Sequence, residues 1–460
     1  MTRAELRLGL VFVVSLVFLH PSVRGDGVGY YAWLRAPLIQ HNFDFRADWR
    51  RGFPDVSWGR ADGVGNSGLL QWTTTGHLAN HYAVGTAILM APFVIVAHGA
   101  VLAANAMGAH VAADGFSRPY FFAVAVAAAV YGFLALIFAV RFARRYFEER
   151  WAMLAAVGIW LASAFTAYLY FDLSWSHVES AFAVGLFVWY WDGTRGGMGA
   201  RRWACLGLAA ALMINVYYVN GVFLLLPAGE LGARLISARR ESADSGRGAA
   251  RVVTDALVFG VVCAIGLLPT LITKRIIYGS FVRTGYPRVA QWHWGAPRLI
   301  DVLFSAGHGL LSWTPILILA VAGWAIGWRR IGGLGPYLVG VVVVFYYVIA
   351  SYVYWDGVTS FSNRFFVSLT PVFVLGLAAA LDGFARWFGD SRGAFLRACV
   401  VVALFSIWNV GFVYQWATEM VSQRSPVMWS EVVYNQFREV PLEAGRDLWG
   451  RVTGWARAGR

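Results

Sequence analysis

Residues 119–141 read PYFFAVAVAAAVYGFLALIFAVR, an apolar run that starts just after Arg118 and closes on Arg141, with Arg144 and Arg145 following. At a rise of about 1.5 Å per residue, some twenty such residues match a hydrocarbon layer about 30 Å thick, so the run predicts a membrane-spanning helix. Comparable runs lie near 83–105, 151–171, 178–191, 203–236, 252–273, 309–328, 334–354, 365–382 and 395–415. The run 203–236 is too long for one crossing and is broken by Asn215-Val216-Tyr217-Tyr218-Val219-Asn220-Gly221. It reads as two short helices with the break at the outer face, because exposed backbone within lipid must satisfy its own hydrogen bonds. An earlier run, 6–20, follows Arg3 and Arg7 without a small-x-small cleavage pattern, and reads as a retained first helix with a cytoplasmic N-terminus. The expectation is an all-α polytopic bundle of about 11–13 helices.

Composition agrees. Of 460 residues, 58% are hydrophobic and 14% charged, and mean hydropathy is +0.57. Soluble domains carry about 25% charged residues, so a soluble enzyme, a disordered chain and a fibre are all excluded. Lys and Arg total 38 against 25 acids, a net charge of +13. The excess sits in short loops between runs, at Arg141, Arg144 and Arg145, at Arg195, Arg201 and Arg202, at Arg234, Arg239 and Arg240, at Arg329 and Arg330, and at Arg386, Arg392 and Arg397. The positive-inside rule accounts for that pattern without a nucleic acid. Cys205, Cys263 and Cys399 stand far apart inside apolar runs, which suits packing and neither a metal nor a disulfide framework.

The basic loops from Arg141 onward are expected on the cytoplasmic side. Segments 21–82, 274–308 and 355–363 and the tail 416–460 are expected on the other. For the 141–150 loop to obey the rule, 83–118 should cross an even number of times, as two short segments or by entering and returning near Pro92 and Gly99. Two units follow: a transmembrane body, 1–415, whose large outer loop 21–82 bears juxtamembrane helices, and an amphipathic tail, 416–460, lying on the outer surface. Trp429, Tyr434, Phe437, Trp449 and Trp455 stand among charges in that tail.

Charge near membrane depth is costly and tends to be functional, so the outer inventory is informative. It holds Asp26, Tyr30, Tyr31 and Arg35 just after the first helix, then Asp44 and Asp48, His81, His177 and Glu179, Lys274-Arg275, His308, Asp356 and Arg364. Asp44 and Asp48 read as solvated surface charge or acceptor contacts. The many Trp and Tyr residues at run ends read mostly as an aromatic belt.

A first helix ending in Gly25-Asp26, then Tyr30-Tyr31 and Arg35 on an outer loop, resembles the GT-C superfold of integral-membrane glycosyltransferases. The Asn80-His81-Tyr82-Ala83-Val84-Gly85 stretch with Ala91-Pro92-Phe93, and the stretch 362–371 with Arg364, resemble the same superfold at the start of a second and a late helix. The nearest branches in pattern are the bacterial mannosyltransferase-like and lipopolysaccharide galacturonosyltransferase-like ones. The chain departs from the protein O-mannosyltransferase pattern, since Gly27 stands where a second acid follows the first. The resemblance implies a sugar donor on a polyprenyl-phosphate carrier, a lipid, glycan or protein acceptor, and a pocket on the periplasmic side of a bacterial inner membrane.

The residue types fit that chemistry. Inverting transfer needs one base to take the acceptor's proton, and Asp26 is placed for it. The leaving phosphate needs cationic donors, for which Lys274, Arg275, Arg35 and Arg364 are candidates. Tyr30, Tyr31, His81, His308 and Asp356 complete the expected substrate contacts. Plainer roles stand beside these: Asp26 as a helix cap, Lys274 and Arg275 as interface anchors, and Arg364 as a structural partner of Asp356. No Asp-x-Asp occurs, no cofactor is expected, and a divalent metal is compatible but not indicated. A transporter or flippase of lipid-linked saccharide is the competing reading, although such proteins usually show internal repeats and mid-bilayer charge.

Overall fold

The computed structural model describes residues 1–52, 71–240, 245–389 and 391–447. Among these the chain is helical, apart from one antiparallel bridge between Trp72 and Leu78. In order the helices are α1 (Arg3–Ser15), α2 (Asp26–Arg35), α3 (Arg46–Gly52), α4 (Gly85–Ala106), α5 (Arg118–Ala143), α6 (Glu149–Ala162), α7 (Phe165–Tyr170), α8 (His177–Thr194), α9 (Ala200–Val216) and α10 (Leu225–Arg240). There follow α11 (Ser245–Gly266), α12 (Leu268–Tyr278), α13 (Leu299–Phe304), α14 (Leu310–Trp313), α15 (Ile316–Ile331), α16 (Gly335–Ser351), α17 (Thr370–Phe388), α18 (Ser391–Ala417) and α19 (Trp429–Tyr434). Twelve of them (α1, α4–α6, α8–α11 and α15–α18) reach 13 residues, within the number expected from the apolar runs. Seven stretches of described chain are long and apolar enough to cross a membrane.

The stretch Arg364–Trp387 is almost wholly buried and forms the axis of the bundle, packed by α15, α5 and α6. Outer helices keep an apolar stripe for lipid. On α18 it is Leu396, Val400, Leu404 and Ile407, spaced about one turn apart and exposed.

One end of the bundle gathers the arginines. Arg141 of α5 meets Glu5 of α1 at 2.8 Å, Arg145 meets Asp192 of α8 at 2.9 Å, Arg202 of α9 meets Glu230 of α10 at 2.7 Å, and Arg330 of α15 meets Asp382 of α17 at 2.8 Å. Short hairpins return to this end. α9 and α10 turn through Tyr217–Leu224, where the sequence placed the break. α15 and α16 open together at the other end, where His308 Nδ1 meets the Asp356 carbonyl at 3.0 Å.

Between residues 83 and 118 the structure differs from the two expected arrangements. It holds one unbroken helix, α4, with Pro92 inside it. α4 lies antiparallel along the first half of α5: the Leu89 carbonyl accepts from Tyr131 at 3.0 Å, and His98 sits 2.6 Å from the Tyr120 hydroxyl. The second half of α5 packs on α1, with Phe133 5.3 Å from Phe12. The 141–150 loop therefore shares an end with the N-terminus of α1, as its arginines require.

The first loop does carry helices, α2 and α3, and α2 is buried along nearly its whole length. The tail folds back along α18. Gln415 donates to the Val432 carbonyl at 3.2 Å, and Gln436 donates to the Ile407 carbonyl at 3.2 Å, which leaves Phe437 and Leu442 exposed. Trp449, Trp455 and part of the outer loop, 53–70, lie outside the described residues.

Candidate active site

Asp26 is the first residue of α2, and the turn that delivers it is Gly25, at φ +53°. That backbone region favours glycine, and a Cβ there would lie 2.6 Å from the Trp175 ring. Gly27 faces the 172–175 loop so closely that a Cβ would stand 1.8 Å from Ser174 Oγ. A second acid at this position is therefore excluded by contact, which gives the departure seen in the sequence a structural cause.

The Asp26 carboxylate is held from two sides. The Tyr82 hydroxyl donates to Oδ1 at 2.8 Å, and Arg364 Nη2 lies 2.8 Å from Oδ2. Asp26 keeps 28% of its side chain exposed and Arg364 12%. The guanidinium lies 4.4 Å over the Trp175 ring and 5.6 Å from that of Phe365. Trp175 is itself fixed, its Nε1 donating to the Arg24 carbonyl at 2.9 Å. Tyr30 packs on Tyr82 at 4.8 Å and accepts from Ser176 at 2.8 Å. His81 lies between Tyr82 at 4.2 Å and Tyr286 at 4.4 Å, while Tyr217 stacks parallel to Phe365. Burial pushes the His81 imidazole down to about 4, although Asp26 pulls the other way, so the ring is neutral near pH 7. Burial and the neighbouring Asp26 carboxylate raise the Tyr82 phenol, which keeps its proton as a donor.

The expected residues thus divide. Asp26, Tyr30, His81 and Arg364 come together. Tyr31 and Arg35 do not, and their expected role is corrected. The Tyr31 hydroxyl donates to the Gly115 carbonyl at 2.8 Å, and Arg35 closes a buried two-pronged pair on Asp48, 2.6 Å at each prong. Asp48, read from sequence as solvated, is the buried partner of that pair. Lys274 is also reassigned. Its ammonium donates to the carbonyls of Asn80, His81 and Tyr82 at 3.1, 3.2 and 3.3 Å, and sits 5.5–5.7 Å from the rings of Tyr278, Trp33 and Tyr218. Its three donors are spent on backbone, which ties the segment leading to Tyr82 to α12. Arg275 is exposed on another face of α12 and bonds to the Gly279 carbonyl. His308 is buried against Trp313, and the Asp356 carboxylate accepts from the Val358 amide at 3.1 Å in its own turn. Arg364 takes Asp26, not Asp356, as its ionic partner.

Tyr82, Trp175, Tyr217, Tyr286 and Phe365 gather around Asp26, His81 and Arg364 without having been singled out. An aromatic at a run end reads the same whether it faces head groups or a pocket. The assembled site holds the Asp26 carboxylate, the Arg364 guanidinium and several aromatic faces, with the Asp172–Arg24 pair, 2.8 Å apart, beside it. Such a set suits a polyol that stacks on rings, an anion met by arginine and a proton moved at Asp26. Among the described residues, no three His, Cys, Asp or Glu side chains gather in a group fit to hold a metal.

No protein-family model matches the chain, and no curated protein matches it. Among solved structures it is similar to the oligosaccharyltransferase of Archaeoglobus fulgidus. In the apo form the identity is 14%, covering 91% of this chain and 56% of that one, at a TM-score of 0.47. The complex of that protein with an inhibitory peptide and a dolichol-phosphate gives 13%, 88% and 53%, at 0.48. The complex with Zn and sulfate gives 16%, 88% and 49%, at 0.49. The chain spans about half the length of these proteins. Likeness of this order assigns neither ligand nor reaction to it.

Proposed function

We propose that the chain is a GT-C-type membrane glycosyltransferase. It moves a sugar from a polyprenyl-phosphate-linked donor to a hydroxyl of an envelope acceptor, with inversion at the anomeric carbon. The observation that carries this reading is Asp26 paired with Arg364 and Tyr82 in one aromatic-walled pocket, at the bundle end opposite the arginine-rich one. With the arginine-rich end cytoplasmic by the positive-inside rule, the pocket opens at the outer face of a bacterial inner membrane. The acceptor oxygen bonds to the anomeric carbon while Asp26 takes its proton. The bond from that carbon to the phosphate oxygen breaks, and the phosphate leaves with the electron pair, its charge met by Arg364. Tyr30, His81 and the rings beside them hold the sugar.

The test uses purified chain in nanodiscs with polyprenyl-phosphate hexoses, and follows the product by mass spectrometry. Asp26→Asn should still bind donor but transfer at least about a hundred-fold more slowly. Asp44→Asn, which alters only an exposed pair with Arg46, should be mild. Near wild-type turnover by Asp26→Asn refutes the assignment of the base. Sugar moved across vesicles without any transfer product favours the flippase.

A further inference from the structure

Two arginine–carboxylate pairs in this chain are built differently. Arg35 engages Asp48 through Nε and Nη2, 2.6 Å each, and both partners are buried. That is a closed fork, with the planar guanidinium matched to both carboxylate oxygens. Arg364 meets Asp26 through Nη2 at 2.8 Å and does not close the Nε–Nη2 fork, since its Nε has no hydrogen-bond partner. Its Nη1 reaches only the Thr359 carbonyl at 3.4 Å, and its Nε is buried without a hydrogen-bond partner. A buried donor left unspent is costly, so the guanidinium has both capacity and cause to take another acceptor. Trp175 and Phe365 cover it by its face and leave the nitrogen-bearing edge as the place of exchange.

The same contact is a problem for Asp26. Both oxygens of the Asp26 carboxylate are engaged, one by the Tyr82 hydroxyl and the other by the Arg364 guanidinium. As it stands, the pocket's base is occupied.

We infer that the Asp26–Arg364 pair is a resting-state latch, opened when the phosphate of the lipid-linked donor takes over the guanidinium edge. A phosphate offers several oxygens where Asp26 uses one nitrogen, and it meets the unspent Nε as well. Asp26 then keeps only its bond from Tyr82 and becomes competent to accept a proton. The base is thereby armed only when a donor is seated, which disfavours misdirected chemistry in an empty pocket. This inference rests on the reading of the pocket as a lipid-linked glycosyl transfer site.

The test measures affinity of the full chain in nanodiscs for farnesyl phosphate, which carries the phosphate and no sugar, with inorganic phosphate as a separate arm. If the two side chains compete, Asp26→Asn binds farnesyl phosphate about tenfold more tightly than wild type. Arg364→Gln loses binding, and the double variant binds no better than Arg364→Gln. Tighter binding of farnesyl phosphate but not of inorganic phosphate identifies a lipid phosphate as the key, and equal gains identify phosphate of either source. Equal or weaker binding by Asp26→Asn overturns the latch, and if that variant has also lost transfer, the assignment of the base survives. A wild type that does not bind farnesyl phosphate at all sinks the latch and the donor assignment together. A second measurement needs no variant: the infrared difference spectrum of wild type on adding farnesyl phosphate should show a carboxylate band shifting as Asp26 leaves its cation. A flat carboxylate region with ligand bound overturns the latch.

Discussion

Replacing Lys274 by Met separates a structural clamp from a phosphate ligand. The side chains are close in length, but Met brings no donors. In the native chain the ammonium holds three carbonyls at 3.1–3.3 Å. The Tyr82 carbonyl would keep its bond from Trp33 Nε1 at 3.0 Å, while those of Asn80 and His81 lose the donor they have. Two buried carbonyls left unpaired cost about 1–3 kcal/mol each, and the lost cation–aromatic contacts add about 1–2. Against this stands relief from burying an ammonium, worth several kcal/mol. The net expectation is a loss of about 3 kcal/mol, read by denaturant titration in bicelles. Slower transfer should accompany it, because the clamped strand places the Tyr82 hydroxyl on Asp26. Affinity for farnesyl phosphate should hold within about threefold, the size of a small indirect effect. A Lys274→Met chain as stable as wild type, but unable to bind the phosphate, would refute the clamp and return Lys274 to the donor site.

Arg35→Gln should cost about 3–5 kcal/mol, because it leaves the Asp48 carboxylate buried without its counter-charge; stability within 1 kcal/mol of wild type would count against this. Gly25→Ala and Gly27→Asp should each abolish transfer by displacing Trp175 or the 172–175 loop, and an active Gly27→Asp chain would show that the close approach gives way. For His81, burial holds the folded ring near 4 against an ordinary 6.5, so below about pH 6.5 the unfolded chain takes a proton that the folded one refuses. The stability present above pH 6.5 is then lost as pH falls towards 4, by on the order of 3 kcal/mol. His81→Gln should flatten that slope, and an unchanged slope would clear the residue of the effect.

The spans were legible in the sequence because their length is imposed from outside, by the thickness of a hydrocarbon layer, and their direction by the arginines of the loops. The break at 217–224 was legible for the same reason, since no single crossing needs so many residues. Partner choice was not. Arg364 and Asp26 stand far apart in the chain, and nothing in either neighbourhood tells Arg364 to prefer Asp26 over the nearer Asp356. Burial of loop charge was equally hidden: Asp48 read as solvated or an acceptor contact and Arg35 and Lys274 as phosphate candidates, yet Arg35 and Asp48 bury each other, and Trp33 and Tyr218 stand beside Lys274. Pro92 misled in the other direction. A proline in an apolar run suggested a turn, but the helix runs through it without the backbone donor that proline lacks.

The missing second acid and the latch have a common origin. α2 lies against the 172–175 loop, and that contact admits only glycine at position 27. No second carboxylate follows Asp26 on α2, and the nearby Asp172 is already paired with Arg24. A lone carboxylate beside a partly buried arginine will pair with it in the absence of ligand, because an unpaired buried cation is the costlier state. On the proposed reaction, the same arginine is also the group best placed to meet the donor's phosphate. One cation therefore serves two anions in turn, and whichever holds it decides whether the other is free. The packing that excludes a second acid thus makes the base depend on the donor. Restoring a carboxylate elsewhere in the pocket, within reach of Arg364, should uncouple them: such a chain would bind farnesyl phosphate more weakly while its Asp26 no longer responds to it.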